Sequence, residues 1–249
     1  MTDPLQPLVD LPGVRDAADR ARDALAAVHR HKANRRGWPT TAAEAAVRAA
    51  RSSAAIDGGS TGLPTVDGFV EDPILAGSLR VGQALDGEAL RTLAGTWQRA
   101  PLQALARLHL LAAADLVTDE TLLGRPRTEP GVAERLDLLA QTVLSTRAPA
   151  PVIAAVVHGE LLALRPFGTA DGIVARAASR LVTVSSGLDP HSLGVPEVFW
   201  FRRRQAYLDA AAAFASGDPD AVGGWVILSC GALEDGAREA ASIADSAVA

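Results

Sequence analysis

The sequence predicts an all-α fold, and three observations carry the prediction. Alanine makes up about a fifth of the 249 residues, and it is the residue that costs least in a helix. Phe, Trp and Tyr together reach only 4%, too few of the strand formers on which an all-β architecture depends. Cap signals recur in front of segments whose apolar residues are spaced by three and four, the period of a helix surface. A chain of this length buries one sizeable core. The expected organisation is an N-terminal helical arm over residues 1–40 and a single compact helical unit over 41–249.

After a Pro-rich lead, residues 14–32 carry helix-forming Ala, Leu, Arg and Asp, and Asn34-Arg-Arg-Gly-Trp-Pro39 is expected to end that helix. Thr41-Ala-Ala-Glu44 has the pattern of a capping box, a hydroxyl for the first amides and a Glu reaching back, and opens a helix to about Ile56. Within it Ala42, Ala46, Ala49, Ala50, Ser53 and Asp57 form a stripe of small side chains along which another helix can approach closely. Gly58 and Gly59 stop it, since glycine accepts a left-handed cap. Residues 58–87 read as loop-rich, with the least ordered part of the chain among them. Helical patterns follow at 88–98 and 102–116, separated at Pro101, then at 132–144, 151–164 and 172–184, with an irregular stretch at 118–130. Asp218-Pro219, an N-cap followed by proline at the first helical position, opens a terminal helix.

A net charge of −5 and a pI near 5.5 argue against nucleic acid or acidic lipid as partner. Cys230 is the only cysteine, which excludes an intrachain disulfide and a multi-thiolate zinc site. The opening MTDPLQPLVDLPG lacks the basic and then apolar run of a leader, and apolar runs such as the one from Val152 to Val157 fall short of the roughly 18 residues of a membrane span. A cytoplasmic location is expected, with no membrane association.

The segment richest in chemistry runs from His158 through Arg165-Pro166-Phe167-Gly168-Thr169-Ala170-Asp171-Gly172-Ile173 to Arg176. It reads as helix, tight loop, helix, an arrangement that presents backbone N–H groups at a helix start and suits an anion. It resembles the signature of the Fic family, His-Pro-Phe-x-(Asp/Glu)-Gly-Asn-Gly-Arg-x-x-Arg. Pro166, Phe167, Gly172 and Arg176 match. Arg165 stands where the family has its histidine, Thr169 for the acidic residue, Ala170 for the first glycine, Asp171 for the asparagine and Ile173 for the first arginine. Ser53-Ala-Ala-Ile-Asp57-Gly58 is similar to the family's inhibitory-helix motif, with Asp for Glu. Leu105-Ala-Arg-Leu-His109 followed by Gly124-Arg-Pro-Arg127 resembles the helix and flap that precede the signature, and Asp218-Pro219 with Trp225 resembles its C-terminal helical stretch. The resemblance implies a Fic-like helical bundle with an N-terminal helix of the inhibitory type.

In Fic proteins that transfer AMP the family histidine takes the proton of the attacking hydroxyl. A guanidinium at position 165 has no accessible neutral form and no acceptor lone pair. Thr169 offers Mg²⁺ no carboxylate, Ile173 no phosphate partner, and Ala170 adds a Cβ where backbone should approach phosphate. Asp171 is expected to place a negative charge beside the phosphate position. His158 reads as a hydrogen-bonded core residue. The retained Arg176 is expected to pair with Asp57, as the inhibitory glutamate pairs with the corresponding arginine in the family. Together these readings point to a degenerate Fic-like protein without AMP-transferase activity, with no cofactor and no metal, serving as a regulatory or protein-binding module with an unidentified protein partner or a second copy of itself. The alternative is an enzyme of altered chemistry holding an anionic small molecule or nucleotide in the same cleft. Arg202-Arg203-Arg204 reads as a solvated helix face, and Phe199, Trp200 and Phe201 as core or an interface edge.

Overall fold

The computed structural model describes residues 3–62 and 70–248, and within them the chain forms twelve α-helices and one short 3-10 turn, with no strand. The chain is therefore all-α, as its composition requires.

Helices α1 (Gln6–Val9), α2 (Val14–Arg30) and α3 (Asn34–Ile56) come first. The interruption expected at 34–39 is absent: the chain turns earlier, at residues 31–33, and α3 runs straight through Pro39. Pro39 forfeits one helical bond, the one to the carbonyl of Arg35, and Arg35 is exposed, where losing that bond costs less than it would in the core. Thr41 is thus inside the helix and caps nothing. Its hydroxyl donates to Asn34 Oδ1 at 2.7 Å while Asn34 Nδ2 donates to Val28 O at 2.9 Å, so a buried side-chain pair fastens the end of α2 to the start of α3. At the other end Gly58, at φ +91°, closes α3: Gly58 N bonds Ala55 O and Gly59 N bonds Ala54 O, at 3.2 and 2.9 Å.

The stretch expected to be loop-rich holds a helix, α4 (Pro73–Ala84), capped by Asp72 Oδ1 accepting from Leu75 N at 2.7 Å; residues 63–69 lie outside the described residues. Its glycines disguise it in the sequence, and they are what its packing needs. A Cβ on Gly77 would lie 2.0 Å from the carbonyl oxygen of Ala112, and Gly82 faces Ala46 and Ala50 on the small-residue stripe of α3. Then follow α5 (Gly87–Trp97), α6 (Pro101–Ala113), α7 (Val132–Ser145), α8 (Ala150–Leu164), α9 (Asp171–Ser185), α10 (Pro196–Arg202), α11 (Arg204–Phe214) and α12 (Pro219–Ser246).

The pair α8 and α9 stands between two apolar cores. On one side α8 gives Val152 and Ala155 to a core shared with α2 and α10–α12, which includes Leu25, Trp200, Tyr207 and Trp225. On the other it gives Ala154, Val157 and Leu161 to a core shared with α4–α7 and α9. An element apolar on every face is one buried on every face. Phe199 and Trp200 join the first core, whereas Phe201 is 42% exposed. Arg202, Arg203 and Arg204 are all exposed, the last donating from Nε to Ile56 O. Among the described residues no helix is long and apolar enough to cross a membrane.

Candidate functional site

The loop between α8 and α9 is held from three directions. Arg165 ends α8 in the left-handed region, at φ +48°, and Ala170 precedes α9 at φ +52°; a side chain there costs about 1 kcal/mol each, so the surroundings must hold the shape. Arg127 does part of this, donating from Nε to Arg165 O at 2.8 Å, from Nη2 to Leu164 O at 3.1 Å, and from its backbone N to Pro166 O at 2.7 Å. Phe167 is buried and stacks on His109, ring centres 4.2 Å apart. Asp171 folds back and accepts from Phe167 N at 2.9 Å.

That last bond corrects the expectation for Asp171. The side chain is buried, and burial pushes its carboxyl above the usual range. It closes the loop from within and does not project charge into the cleft. Oδ2 is buried without a partner.

His109, known from sequence only through the flap resemblance, proves central. Its Nδ1 accepts from Gly124 N at 2.9 Å, so Nε2 carries the proton and donates to Thr169 Oγ1 at 3.2 Å. Burial lowers its pKa to about 4. The imidazole is therefore neutral with both nitrogens committed, and it cannot draw the proton from Thr169.

Below the loop, α9 carries Arg176 into the interior. Its Nε donates to Ser53 Oγ at 2.8 Å, and its Nη2 to Ser53 O at 3.0 Å and to Asp57 Oδ2 at 2.7 Å. Nη1 reaches the Tyr207 hydroxyl at 3.3 Å, and that hydroxyl lies 2.8 Å from His158 Nε2. Burial opposes the guanidinium charge, but Asp57 and Tyr207 raise its pKa further above the ordinary value. Burial pushes Tyr207 up to about 12, so the phenol keeps its proton and donates it to His158. Burial and the Arg176 charge hold His158 well below its usual pKa. Asp57 and Arg176, 119 positions apart, thus meet as their motifs suggest, and His158 is the core residue expected of it.

The Asp57 carboxylate also lies over the start of α9. A Cβ on Gly172 would sit 2.6 and 2.7 Å from its two oxygens, so glycine at 172 is what admits the acid. This is the position at which a helix N-terminus favours an anion. Gly58 completes the motif with Ser53 and Asp57 by ending α3 there. Ile173 is buried in the core and Arg165 points outward into solvent.

A second buried arginine escaped the sequence reading. Arg180 pairs with Glu197 at 2.6 Å, and its Nη1 donates to Ser192 O, Ser192 Oγ and Gly194 O. The available signal was its spacing of four from Arg176 on a face otherwise apolar, since a buried guanidinium demands a carboxylate and carbonyls to satisfy it. The donors present do not suit Mg²⁺ at the loop. Thr169 is engaged by His109, Asp171 is turned inward and Asp57 is held by Arg176. Among the described residues no three His, Cys, Asp or Glu side chains converge on a point.

No family model and no curated protein matches the sequence. The fold does have a match. A crystal structure of a Fic family protein from Desulfovibrio desulfuricans G20 superposes with a TM-score of 0.72 at 20% identity, over 93% of this chain and 74% of that one. At that identity the likeness establishes the fold: the chain has the Fic fold that its signature-like segment resembles.

Proposed function

We propose that this Fic-fold chain carries out no AMP transfer and acts as a regulatory, protein-binding module. One observation supports the reading: the loop offers no solvent-accessible free proton acceptor. The position of the family base is an exposed guanidinium, both nitrogens of His109 are bonded, His158 Nε2 accepts from Tyr207, and the Asp171 carboxyl is buried, with Oδ1 bonded to Phe167 N and Oδ2 shut away from solvent. A general base must reach the proton that it removes, and none does. Incubation with labelled ATP and candidate protein acceptors tests this. No transfer is expected, and transfer abolished by Arg165→Ala would overturn the reading.

A second reading rests on a different observation. With Asp171 turned inward, the amides opening α9 and the Arg176 guanidinium form a site for negative charge that Asp57 fills. An anionic small molecule takes that place when Asp57 leaves it. Thermal shifts of wild type and Asp57→Gly with phosphate, ATP and small carboxylates separate the two. Stabilisation in the variant alone supports the anion site, and stabilisation in neither supports a purely structural strut.

A further inference from the structure

The turn between α2 and α3 gathers positive charge. No Asp or Glu stands between Asp23 and Glu44, and within that interval the chain carries Arg30, Lys32, Arg35 and Arg36. All four are exposed, and among the described residues none makes an ion pair or a side-chain hydrogen bond. Other cations of the surface are answered from within the chain. On α2 itself Arg15, Arg20 and Arg22 pair with Asp10, Glu234 and Asp19. In the equally exposed run from 202 to 204, Arg202 pairs with Glu239, Arg203 lies 4.3 Å over the Phe199 ring and Arg204 donates to Ile56 O.

The acids around the turn are engaged elsewhere. Asp189 is buried and bonds His29 Nε2, Leu193 N and Gly194 N. Asp245 of α12 bonds His31 at 3.2 Å, Asp23 pairs with Arg22 at 3.2 Å, and Glu44 pairs with Arg48 at 2.7 Å. Arg30, in the last turn of α2, suits its helix end. Arg35 and Arg36 do not: they stand in the first turn of α3, which holds no acid, and the partial positive charge of a helix start disfavours cations there. At that end of α3 the charge costs stability instead of adding it.

We propose that this turn docks a short acidic segment of a protein partner, whose Asp or Glu carboxylates pair with Arg30, Lys32, Arg35 and Arg36. Three of the four are guanidinium groups, whose planar fork matches a carboxylate. The rest of the chain sets the size of the partner. With these four set aside, the 24 Lys and Arg become 20 against 29 Asp and Glu, which leaves the remainder at −9. A nucleic acid or an anionic membrane extends its negative charge well past the turn and meets that excess. A segment of a few residues stays on the turn, and acids farther off than a Debye length of about 8 Å are screened from it. The inference rests on the protein-binding reading above, to which it gives a surface and a class of partner, and makes no use of the cleft.

Fluorescence anisotropy of a short labelled poly-glutamate peptide, titrated with the purified full chain, tests it. Binding is expected in the micromolar range and should weaken as salt rises. Arg35→Gln with Arg36→Gln should raise the Kd at least about tenfold without lowering the Tm, because both side chains are exposed and unpaired. Lys32→Gln, in the turn itself, should weaken binding in the same direction and supplies the comparison if the double variant folds poorly. Arg202→Gln with Arg203→Gln removes as much charge elsewhere and should leave the affinity nearly as it was. No binding of the peptide, equal losses from the two pairs of substitutions, or a single-stranded oligonucleotide or phosphatidylserine vesicles bound more tightly than the peptide would overturn the proposal. The result is separable from the ATP assay. A chain that binds the peptide and also transfers AMP keeps this surface and loses the reading of the cleft, and one that does neither keeps the reading of the cleft and loses this surface.

Discussion

At the scale of single residues, the site depends on a few side chains whose freedom is already spent. Gly172 is one. A methyl there would collide with the Asp57 carboxylate, so Gly172→Ala is expected to destabilise the chain by about 1–2 kcal/mol and to do so only while Asp57 is present. Denaturant unfolding of Gly172→Ala, Asp57→Ala and the double variant measures the coupling, and additive costs would mean that the carboxylate does not lie over α9. Histidine gives the pH dependence. His109, with a pKa of about 4 against an ordinary 6.5, is neutral in the folded state and protonates first in the unfolded one. Its contribution is complete above pH 6.5 and is lost as pH falls from there to about 4. His158, also lowered, acts with the same sign, while Asp171, raised by burial, opposes both. The comparison with His109→Gln is therefore the clean readout: the stability difference between variant and wild type should shrink as pH falls through that window. Little of this was legible in sequence. Asp57 and Arg176 could be named from their motifs, but the direction of Asp171 depended on a backbone N–H four residues earlier that only the folded loop presents.

At the scale of elements, the helices most readily read were those with caps and unbroken periodicity. The terminal helix begins at Pro219 as its Asp218 cap foretells, and α5 to α9 fall within a few residues of their patterns. Two misreadings share a cause. Pro39 and the glycines of α4 are local helix breakers, and in both places tertiary contacts outweigh a local cost of about 1–3 kcal/mol. Asp72-Pro73 carries the same cap signal as Asp218-Pro219, yet Gly77 and Gly82 obscured what followed it. Those glycines are contact surfaces. Gly77→Ala would press a methyl into the Ala112 carbonyl and force α4 from α6, at a cost of about 3 kcal/mol. Equilibrium unfolding checks this, and a Gly77→Ala chain as stable as the wild type would show that the two helices do not cross there.

At the scale of the whole molecule, the chain has the Fic fold with arginine, threonine and isoleucine at positions 165, 169 and 173 of its loop segment. Two cores and two buried arginines, Arg176 with Asp57 and Arg180 with Glu197, surround the elements that carry the loop. Catalytic groups act as a unit, so restoring one restores nothing. Arg165→His alone is expected to yield no detectable transfer. Rebuilding the signature with Thr169→Asp, Ala170→Gly, Asp171→Asn and Ile173→Arg, together with Asp57→Gly, should bring back nucleotide affinity before transfer. Calorimetric titration with Mg·ATP across that series decides the order. A folded, fully rebuilt chain without affinity would mean that the loop does not occupy the nucleotide position of the fold.

By itself the sequence determined the all-α class, the segment that forms the loop, and a guanidinium at position 165, because composition, caps and side-chain chemistry are properties of residues and need no neighbours. Tertiary structure alone decided that Asp171 turns inward, that His109 and Thr169 bond each other, and that Arg180 finds Glu197. His109 with Thr169 and Arg180 with Glu197 join groups from separate elements, the Asp171 bond needs the closed shape of the loop, and a buried donor or acceptor takes the partner that packing brings to it.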